Sequence, residues 1–296
     1  KQNLSLNIAV HIHVYYIDIF EKIIDHLIRA NINFELFVTT DNEHKKANVV
    51  KCINARNLSG SLKKIQLFEN RGRDVLPWLS LVNELSQYDI IGHFHTKKTS
   101  WADAWIGESW MDDIIELLID PGQKIVNQFE INDKLGIVIP DIPFYYKTLL
   151  EADTWAGNRK LIEDILMKIK LKKKVEIGWS EVPVMPYGNM FWYRPNALKP
   201  LSDIGLTVND FSEEPLKVDG TIAHALERLP VYVAWGQGYD FRIAVRLENG
   251  VSGFDFFVNS KVAERFATLH NSNSYKIGKI ITWLPSKIKA YLGMQD

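Results

Sequence analysis

The alternation of strand-like and helix-like segments over the first 140 residues constrains the fold most. Short apolar runs typical of buried strands occur at "NIAVHIHVYY", "FELFVTT", "KKIQLFEN", "YDIIGHFHT" and "LGIVIP". Segments with apolar residues at helical spacing lie between them, including "IDIFEKIIDHLIRA", "DVLPWLSLVNEL" and "WADAWIGESWMDDIIELLI". This alternation predicts an α/β fold with a mostly parallel, Rossmann-like sheet flanked by helices.

The second half of the chain is less regular. We predict a helix near 158–170, a strand at "NMFWYRP", a short helix around 196–201 and a longer helix at "DGTIAHALERL". No internal repeat or low-complexity linker precedes residue 250. The sequence therefore predicts one domain of catalytic size, residues 1–250, followed by a helical tail, residues 251–296.

The tail carries a basic amphipathic segment, "SYKIGKIITWLPSKIKAYL", which has four lysines and no acidic residue. A basic amphipathic segment with a Trp is typical of an element that lies on an anionic membrane surface. A terminal helix that docks on the domain through its apolar face has the same pattern. The two interpretations remain open at this point.

Charge and composition exclude several classes of protein. The formal charge of −1 over 296 residues gives no basic excess for nucleic acid. A single cysteine, Cys52, excludes an intrachain disulfide. No apolar run approaches the ~20 residues that span a bilayer, and no signal-peptide pattern is present, so we expect a cytoplasmic protein. Because residue 1 is Lys, we also expect the sequence to be part of a longer protein.

Candidate site residues follow the predicted strands, because ligands of doubly wound sheets bind beyond the carboxyl ends of the strands. These corners form one predicted site with the following members: His13, Tyr15 and Tyr16; Thr39, Thr40 and Asp41; Asn70 to Asp74; and His95 to Lys98.

The corner "ENRGRD" is suited to phosphate. Gly72 permits a tight turn, and the guanidinium groups of Arg71 and Arg73 bind phosphate oxygens in a forked geometry. The alternative is a surface turn in which Asp74 caps the next helix.

The corner "HFHTKKT" combines histidines with cations. Strand geometry puts His93 and His95 on one face, and Lys97 and Lys98 follow as point charges that could neutralise a leaving diphosphate. With His11 and His13 on the first strand, the two HxH pairs also allow a His-ligated metal hydrolase. Missing carboxylates at the later strand ends count against that alternative.

Asp219, in "EEPLKVDGTIAHALERL", is the candidate general base, because a carboxylate before a helix would project toward the crevice. The alternative is that Asp219 caps that helix. Trp101 lies in a polar loop where an indole could stack on a sugar or a base.

Four strings together carry a family resemblance: "ENRGRDVLPWL", "FHTKKTS", "YGNMFWYRPNALKPL" and "EEPLKVDGTIAHALERL". They resemble the rhamnan synthesis protein F family of bacterial surface-polysaccharide assembly, and the match extends from the first strand to about "GYDFR". The resemblance implies a GT-A-like inverting glycosyltransferase domain. It would transfer L-rhamnose from dTDP-L-rhamnose to a lipid-linked polysaccharide acceptor at the inner face of the cytoplasmic membrane.

The resemblance also assigns roles to residues of this sequence. Asn70 and Gly72 match a turn near the donor, Thr39 to Asp41 match the nucleoside corner, and Asp219 matches the late acidic residue. We predict that the nucleoside is bound by His13, Tyr15, Thr39, Thr40, Asp41, Asn70, Gly72 and Asp74. Near "YGNMFWYR", the resemblance implies that Tyr187, Trp192 and Tyr193 shape the acceptor side, with Asn189 as a polar contact. The alternative is that "MFWY" is a core strand.

The sequence departs from the related transferases at their metal-binding DxD motif, whose place is taken by His95, Thr96 and Lys97. We therefore predict that Arg71, Arg73, Lys97, Lys98 and His95 bind the diphosphate with no metal ligand and no required cofactor. A divalent cation, Mg²⁺ or Mn²⁺, is the alternative. Loss of the motif also allows a second class of protein, a nucleotide-sugar or glycan-binding domain that does not catalyse.

Overall fold

The structure is a computed structural model that describes residues 6–96, 98, 104–143, 155–177, 182–214, 219–246 and 255–256. The tail predicted for 251–296 lies outside these residues apart from 255–256. The boundary at residue 250 and the membrane role of the tail therefore stay predictions. Lys97 and Trp101 also lie outside the described residues.

Eight strands form one sheet in the order β3-β2-β1-β4-β6-β5-β7-β8. Neighbours pair in parallel, except that β6 is antiparallel to β4 and β5, and β8 is antiparallel to β7. The strands are β1 (Ile8–Val14), β2 (Glu35–Thr40), β3 (Leu62–Leu67), β4 (Ile90–His95), β5 (Leu135–Pro140), β6 (Phe191–Tyr193), β7 (Asp240–Val245) and β8 (Asp255–Phe256). The predicted α/β class with a mostly parallel sheet is confirmed.

The α-helices of the described part are α1 (Ile17–Arg29), α2 (Glu43–Ala55), α3 (Val75–Leu85), α4 (Ala104–Ile114), α5 (Gly122–Ile131), α6 (Arg159–Lys168), α7 (Pro195–Ser202), α8 (Ile222–Glu227) and α9 (Pro230–Gly236). A π-helical turn, Ile115–Ile119, continues α4. None of the helices that the structure describes is long and apolar enough to cross a membrane.

The structure differs from the sequence-based expectation in its helices. The helix predicted at "DGTIAHALERL" is shorter, because α8 ends at Glu227 and Pro230 begins a separate helix, α9. Two helices were not predicted, α2 and α5. The polar and apolar residues of α2 are poorly segregated, so its sequence gives little of the helical periodicity on which such predictions depend.

Helix α3 is the central element of one half of the core. Eight of its eleven residues are buried, because it packs between the sheet and the helices α7 and α8. The indole of Trp78 donates to the hydroxyl of Tyr193 on β6 at 3.0 Å, which satisfies both buried polar groups. This packing fixes the start of α3, and with it Asp74, over the carboxyl end of the sheet.

The order of the strands reverses between β1 and β4, the neighbours at which a doubly wound sheet opens its ligand crevice. Across this pair His11 lies beside His93, and His13 lies beside His95. Thr39 of β2 lies on the other side of His13. The strand ends that were predicted to carry site residues therefore meet at one place in the fold.

Candidate functional site

A left-handed turn precedes α3 and sends two consecutive side chains into different surroundings. Gly72 has φ +75° and Arg73 has φ +52°. A Cβ on Gly72 would lie 2.7 Å from Cβ of Leu76, so the turn needs glycine there for space as well as for conformation. At Arg73 the left-handed conformation costs about 1 kcal/mol, and strain of this kind is frequent at functional sites. Asp74 belongs to one polar cluster, and Arg73 belongs to another.

The first group, here called the histidine cluster, consists of His11, His13, Thr39, Asp74, His93, His95 and Asn189. Nδ1 of His11 lies 3.0 Å from Nδ1 of His93, and its Nε2 lies 2.9 Å from the hydroxyl of Thr39. The same hydroxyl lies 2.9 Å from Nδ1 of His13. The rings of His11 and His93 are stacked, and Trp78 stacks on His93. The cluster is therefore a continuous polar network in a packed interior.

Asp74 is the negative charge of the histidine cluster and is only 6% exposed. Its Oδ2 accepts a 2.7 Å hydrogen bond from Asn189 and lies 3.7 Å from Nε2 of both His93 and His95. Burial opposes ionisation, but the neighbouring His95 and His93 and the Asn189 bond outweigh it and hold the pKa of Asp74 far below its usual range. Asp74 is the N-cap residue of α3, as the alternative interpretation expected, but its side chain forms no capping hydrogen bond and faces the histidine cluster instead.

Burial lowers the pKa of three histidines in this cluster. The rings of His11 and His93 are fully buried, and desolvation lowers the pKa of each below the usual value. Desolvation also lowers the pKa of His13 to about 4. These histidines are therefore neutral at pH 7, and each carries its proton on one ring nitrogen only.

The second group, here called the Asp219 cluster, consists of Asp219, Asn158, Thr221, His224, Arg228 and Arg73. Nδ2 of Asn158 lies 2.8 and 2.9 Å from the two oxygens of Asp219, and Arg228 lies 3.4 Å from Oδ1. The N-cap residue of α8 is Thr221, so the alternative role of Asp219 as that cap is wrong. The carboxylate is held by Asn158 and Arg228 and stays partly exposed.

His224 connects Arg73 to Asp219. Its Nε2 accepts a hydrogen bond from Nη1 of Arg73 at 3.0 Å, which places the ring proton on Nδ1. Nδ1 lies 2.7 Å from the hydroxyl of Thr221 and 3.9 Å from Oδ1 of Asp219. The structure thus brings together the predicted phosphate ligand Arg73 and the predicted base Asp219.

The sequence reasoning missed Asn158, His224 and Arg228. His224 and Arg228 are polar residues within "TIAHALERL", whose neighbours in the helix are apolar. A buried polar side chain on an apolar helix face needs a partner, and that pattern could have drawn attention to both residues. No local signal connects Asn158 to Asp219, which lies 61 residues further along the chain.

The other predicted phosphate ligands have partners within the protein. Nε of Arg71 donates to the carbonyl of Phe211 at 2.7 Å, and its Nη1 lies 4.0 Å from Glu213. Lys98 is exposed, forms a 2.7 Å ion pair with Asp18 and lies over the ring of Tyr16. Both side chains keep further N–H groups that these contacts do not use.

The predicted nucleoside corner includes a residue that the sequence reasoning missed. The ammonium of Lys45 lies 3.4 Å from the ring centroid of Tyr15 and 2.7 Å from Asp41. Lys45 was missed because α2 was not predicted. The sequence signal for α2 was Asn42, a favoured N-cap residue whose side chain accepts a hydrogen bond from the backbone N–H of Lys45.

The other residues of that corner are divided between buried and exposed positions. Thr40 donates to the carbonyl of Val14, and Asn70 is exposed.

The predicted acceptor side needs correction at Trp192. This residue is fully buried, donates to the carbonyl of Leu118 and packs on Phe94, so it belongs to the core and cannot contact a sugar. Tyr187 is also buried, and Asn189 belongs to the histidine cluster. All three residues of β6 are buried, so Tyr193 is internal as well, and the alternative of a core strand at "MFWY" is confirmed.

The residues at the place of the missing DxD motif do not fit a carboxylate-held divalent ion. The hydroxyl of Thr96 accepts hydrogen bonds from the backbone N–H groups of Tyr15 and Tyr16 at 2.7 and 2.8 Å. Nε2 of His95 lies 2.5 Å from the carbonyl of Gly188 and therefore carries a proton, which excludes a metal at that nitrogen. In the described ranges no three His, Cys, Asp or Glu side chains are grouped to hold a metal ion.

Comparisons with known proteins agree with the resemblance seen in the sequence. The family model described as rhamnan synthesis protein F matches residues 1–239. Two curated relatives, each called "Uncharacterized protein WxcX" and from two strains of Xanthomonas campestris pv. campestris, are 31% identical over 232 residues. The match covers 76% of this chain and 31% of each relative, so the chain spans about a third of their length.

Proposed function

The chain belongs to the rhamnan synthesis protein F family, and on that premise we propose that it is an inverting, GT-A-like glycosyltransferase domain. In the proposed reaction, L-rhamnose moves from dTDP-L-rhamnose to a lipid-linked polysaccharide acceptor. The acceptor oxygen forms a bond to the anomeric carbon while the bond from that carbon to the diphosphate breaks. The acceptor proton passes to Asp219.

The observation that carries this proposal is the position of His224, which bonds to Arg73 and lies 3.9 Å from the carboxylate of Asp219. A displacement of this kind needs a cation where negative charge develops on the leaving group and a base at the attacking hydroxyl. Both candidate groups therefore lie beside one histidine ring, Arg73 bonded to it and Asp219 near its other nitrogen. This arrangement lies beside the reversal point of the sheet, where a nucleotide is expected to bind.

Arg73 is the proposed principal ligand of the leaving diphosphate. Its Nη1 is committed to a neutral histidine, which leaves its positive charge uncompensated by that contact. Arg71, Lys98 and the sequence neighbour Lys97 supply further positive charge in this proposal. Fixed side-chain cations would then do what a metal ion does in related enzymes.

Asp219 is the proposed general base, and Asn158 is a positioning residue for it. Both carboxylate oxygens lie within 3 Å of Nδ2 of Asn158, so the plane of the carboxylate is set before substrate binds. The good leaving group means that the base needs correct placement more than high basicity.

Transfer of radiolabelled rhamnose from dTDP-L-rhamnose to a rhamnosylated lipid acceptor tests the reaction directly. We expect product from the wild type and none above background from Asp219→Asn, with dTDP affinity unchanged. The matched control is Asp203→Asn, because Asp203 is an exposed carboxylate that pairs with Lys199 on α7. An Asp219→Asn variant with normal turnover would contradict the role of the base.

A second candidate function is a nucleotide-sugar-binding domain without turnover. It is favoured by the occupied groups at the end of β4, where Thr96 and His95 bond to the backbone. Tight dTDP binding by the wild type, with no product on addition of Mg²⁺ or Mn²⁺, would support this candidate over the enzyme.

A further inference from the structure

Hydrogen bonds join His93, His11, Thr39 and His13 of the histidine cluster in one unbranched path, and the carboxylate of Asp74 lies 3.7 Å from the His93 end of it. Nε2 of His93 faces Asp74, and Nδ1 of His93 meets Nδ1 of His11. Nε2 of His11 then meets the hydroxyl of Thr39, which in turn meets Nδ1 of His13. Because a neutral imidazole has one donor and one acceptor nitrogen, the proton position on His93 determines the position on His11. When Nε2 of His11 is unprotonated, the Thr39 hydroxyl must donate to it, and His13 then donates to Thr39 from Nδ1.

Three proton arrangements satisfy the hydrogen bonds of this path, because the hydroxyl of Thr39 has one proton and two lone pairs. In the first, each proton points toward Asp74: His13 Nδ1–H donates to Thr39, the Thr39 hydroxyl donates to His11, and His11 Nδ1–H donates to His93. His93 then directs Nε2–H at the carboxylate. In the second, each proton points away from Asp74, and His13 ends the path with its proton on Nε2. In the third arrangement His11 Nε2–H and His13 Nδ1–H both donate to the hydroxyl of Thr39.

The charge of Asp74 selects the first arrangement. The second and the third require either a lone pair of His93 Nε2 facing a carboxylate at 3.7 Å, or a second proton on His93. His93 is fully buried, and that burial disfavours a cation. Within the described ranges Nδ1 is the only nitrogen of His13 with a hydrogen bond, and the side chain is partly exposed. Nε2 of His13 is thus left as a lone pair at the carboxyl end of β1.

We propose that the buried path from Asp74 fixes the proton of His13 on Nδ1, so that Nε2 accepts a hydrogen bond from the base of the donor nucleotide. This inference rests on the proposed function, in which the donor nucleotide binds at the reversal point of the sheet between β1 and β4. The ligand class is a pyrimidine with an imide N–H, which thymine and uracil have. Cytosine presents a lone pair at the same ring position, and two facing lone pairs repel each other.

The proton arrangement is testable without any nucleotide. Two-dimensional ¹⁵N NMR of the full chain, labelled at histidine and assigned with His13→Gln and His11→Gln, distinguishes a protonated ring nitrogen from an unprotonated one. We expect Nδ1–H on His13 and His11 and Nε2–H on His93 at pH 7.5. A proton on Nε2 of His13 would overturn the proposal, whether or not the protein is a transferase.

The proposed preference for bases with an imide N–H is testable by calorimetry with dTDP, UDP, CDP and a dTDP analogue methylated at the imide nitrogen. We expect dTDP and UDP to bind at least about tenfold more tightly than CDP and the methylated analogue, because an unpaired buried acceptor costs this much. His13→Gln should reduce the preference, while His44→Gln, an exposed histidine on α2, should keep it.

Equal affinity of the wild type for dTDP and the methylated analogue would overturn the inference and leave the proposed transferase intact. Absence of binding to every nucleoside diphosphate would overturn both.

Discussion

Acid should destabilise this fold well above the pH at which carboxylates titrate, because three buried histidines are neutral. The pKa values of His11, His13 and His93 are lowered by burial, to about 4 for His13, against 6.5 for an unperturbed histidine. A histidine with a lowered pKa contributes stability that is fully present above the unfolded value. That contribution is lost as the pH falls toward the folded value, since only the unfolded chain takes up the proton.

The size of this loss of stability follows from the pH interval between the unfolded and the folded pKa values of each histidine. Between pH 7.5 and pH 5 the His13 contribution should fall by about 2 kcal/mol, and His11 and His93 should each add a loss of up to about the same size. Asp74 does not offset this loss. Its pKa is lowered below 3.8, so its contribution stays complete down to about that value and falls only in stronger acid. The total is comparable with the whole stability of an ordinary domain, which is about 5–15 kcal/mol.

Urea unfolding followed by tryptophan fluorescence at pH 7.5, 6.5, 5.5 and 5 measures this loss. His13→Gln should reduce the pH dependence by about 2 kcal/mol, because one of the three groups is gone. His44→Gln is the matched control and should leave it unchanged, since His44 is exposed. A free energy of unfolding that changes by less than about 1 kcal/mol over this range would refute the reasoning.

Further predictions concern the turn, the cations and the base. Gly72→Ala should lower the free energy of unfolding by at least about 2 kcal/mol, through its left-handed φ and the contact with Leu76. Gly60→Ala, where nothing lies within 4 Å of the new Cβ, should change it by less than about 0.5 kcal/mol in the same urea assay. Lys97→Ala should slow transfer by about tenfold or more at an unchanged melting temperature, and an unchanged rate would reject its role with the leaving group. Asn158→Leu should lower kcat more than it raises KM for the donor, because it frees the carboxylate of Asp219 without touching dTDP; an unaltered kcat would contradict the positioning role.

The fold was readable from the sequence wherever apolar periodicity was strong. The four parallel strands β1 to β4 and helices α1 and α3 carry continuous apolar runs or one apolar face, and all were predicted. Helix α2 was not, because its stability depends on the Asn42 cap and on packing against α1, neither of which produces a periodic pattern. The same omission hid Lys45 at the end of β2.

The sequence predicted which strand ends contribute to the candidate site, but it did not predict which side chains contact one another there. The rule that ligands bind at the carboxyl ends of strands correctly grouped His13, Thr39, Asp74 and His95. It could not show that Asp74 faces inward to His93 and Asn189, since the direction of a side chain after a left-handed turn depends on tertiary packing. Trp192 was misassigned for a related reason. A three-residue strand gives too little alternation to tell a buried aromatic ring from an exposed one.

The central claim is that side-chain cations, with no metal ion, hold the diphosphate released from the donor. A crystal structure of the full chain with dTDP and Mn²⁺, collected with the anomalous signal of manganese, measures this most directly. The account predicts phosphate oxygens within hydrogen-bond distance of the Arg73 guanidinium and no manganese peak beside them. A Mn²⁺ ion bridging the diphosphate to a carboxylate of this chain, or a diphosphate bound away from Arg73 and the end of β4, would contradict it.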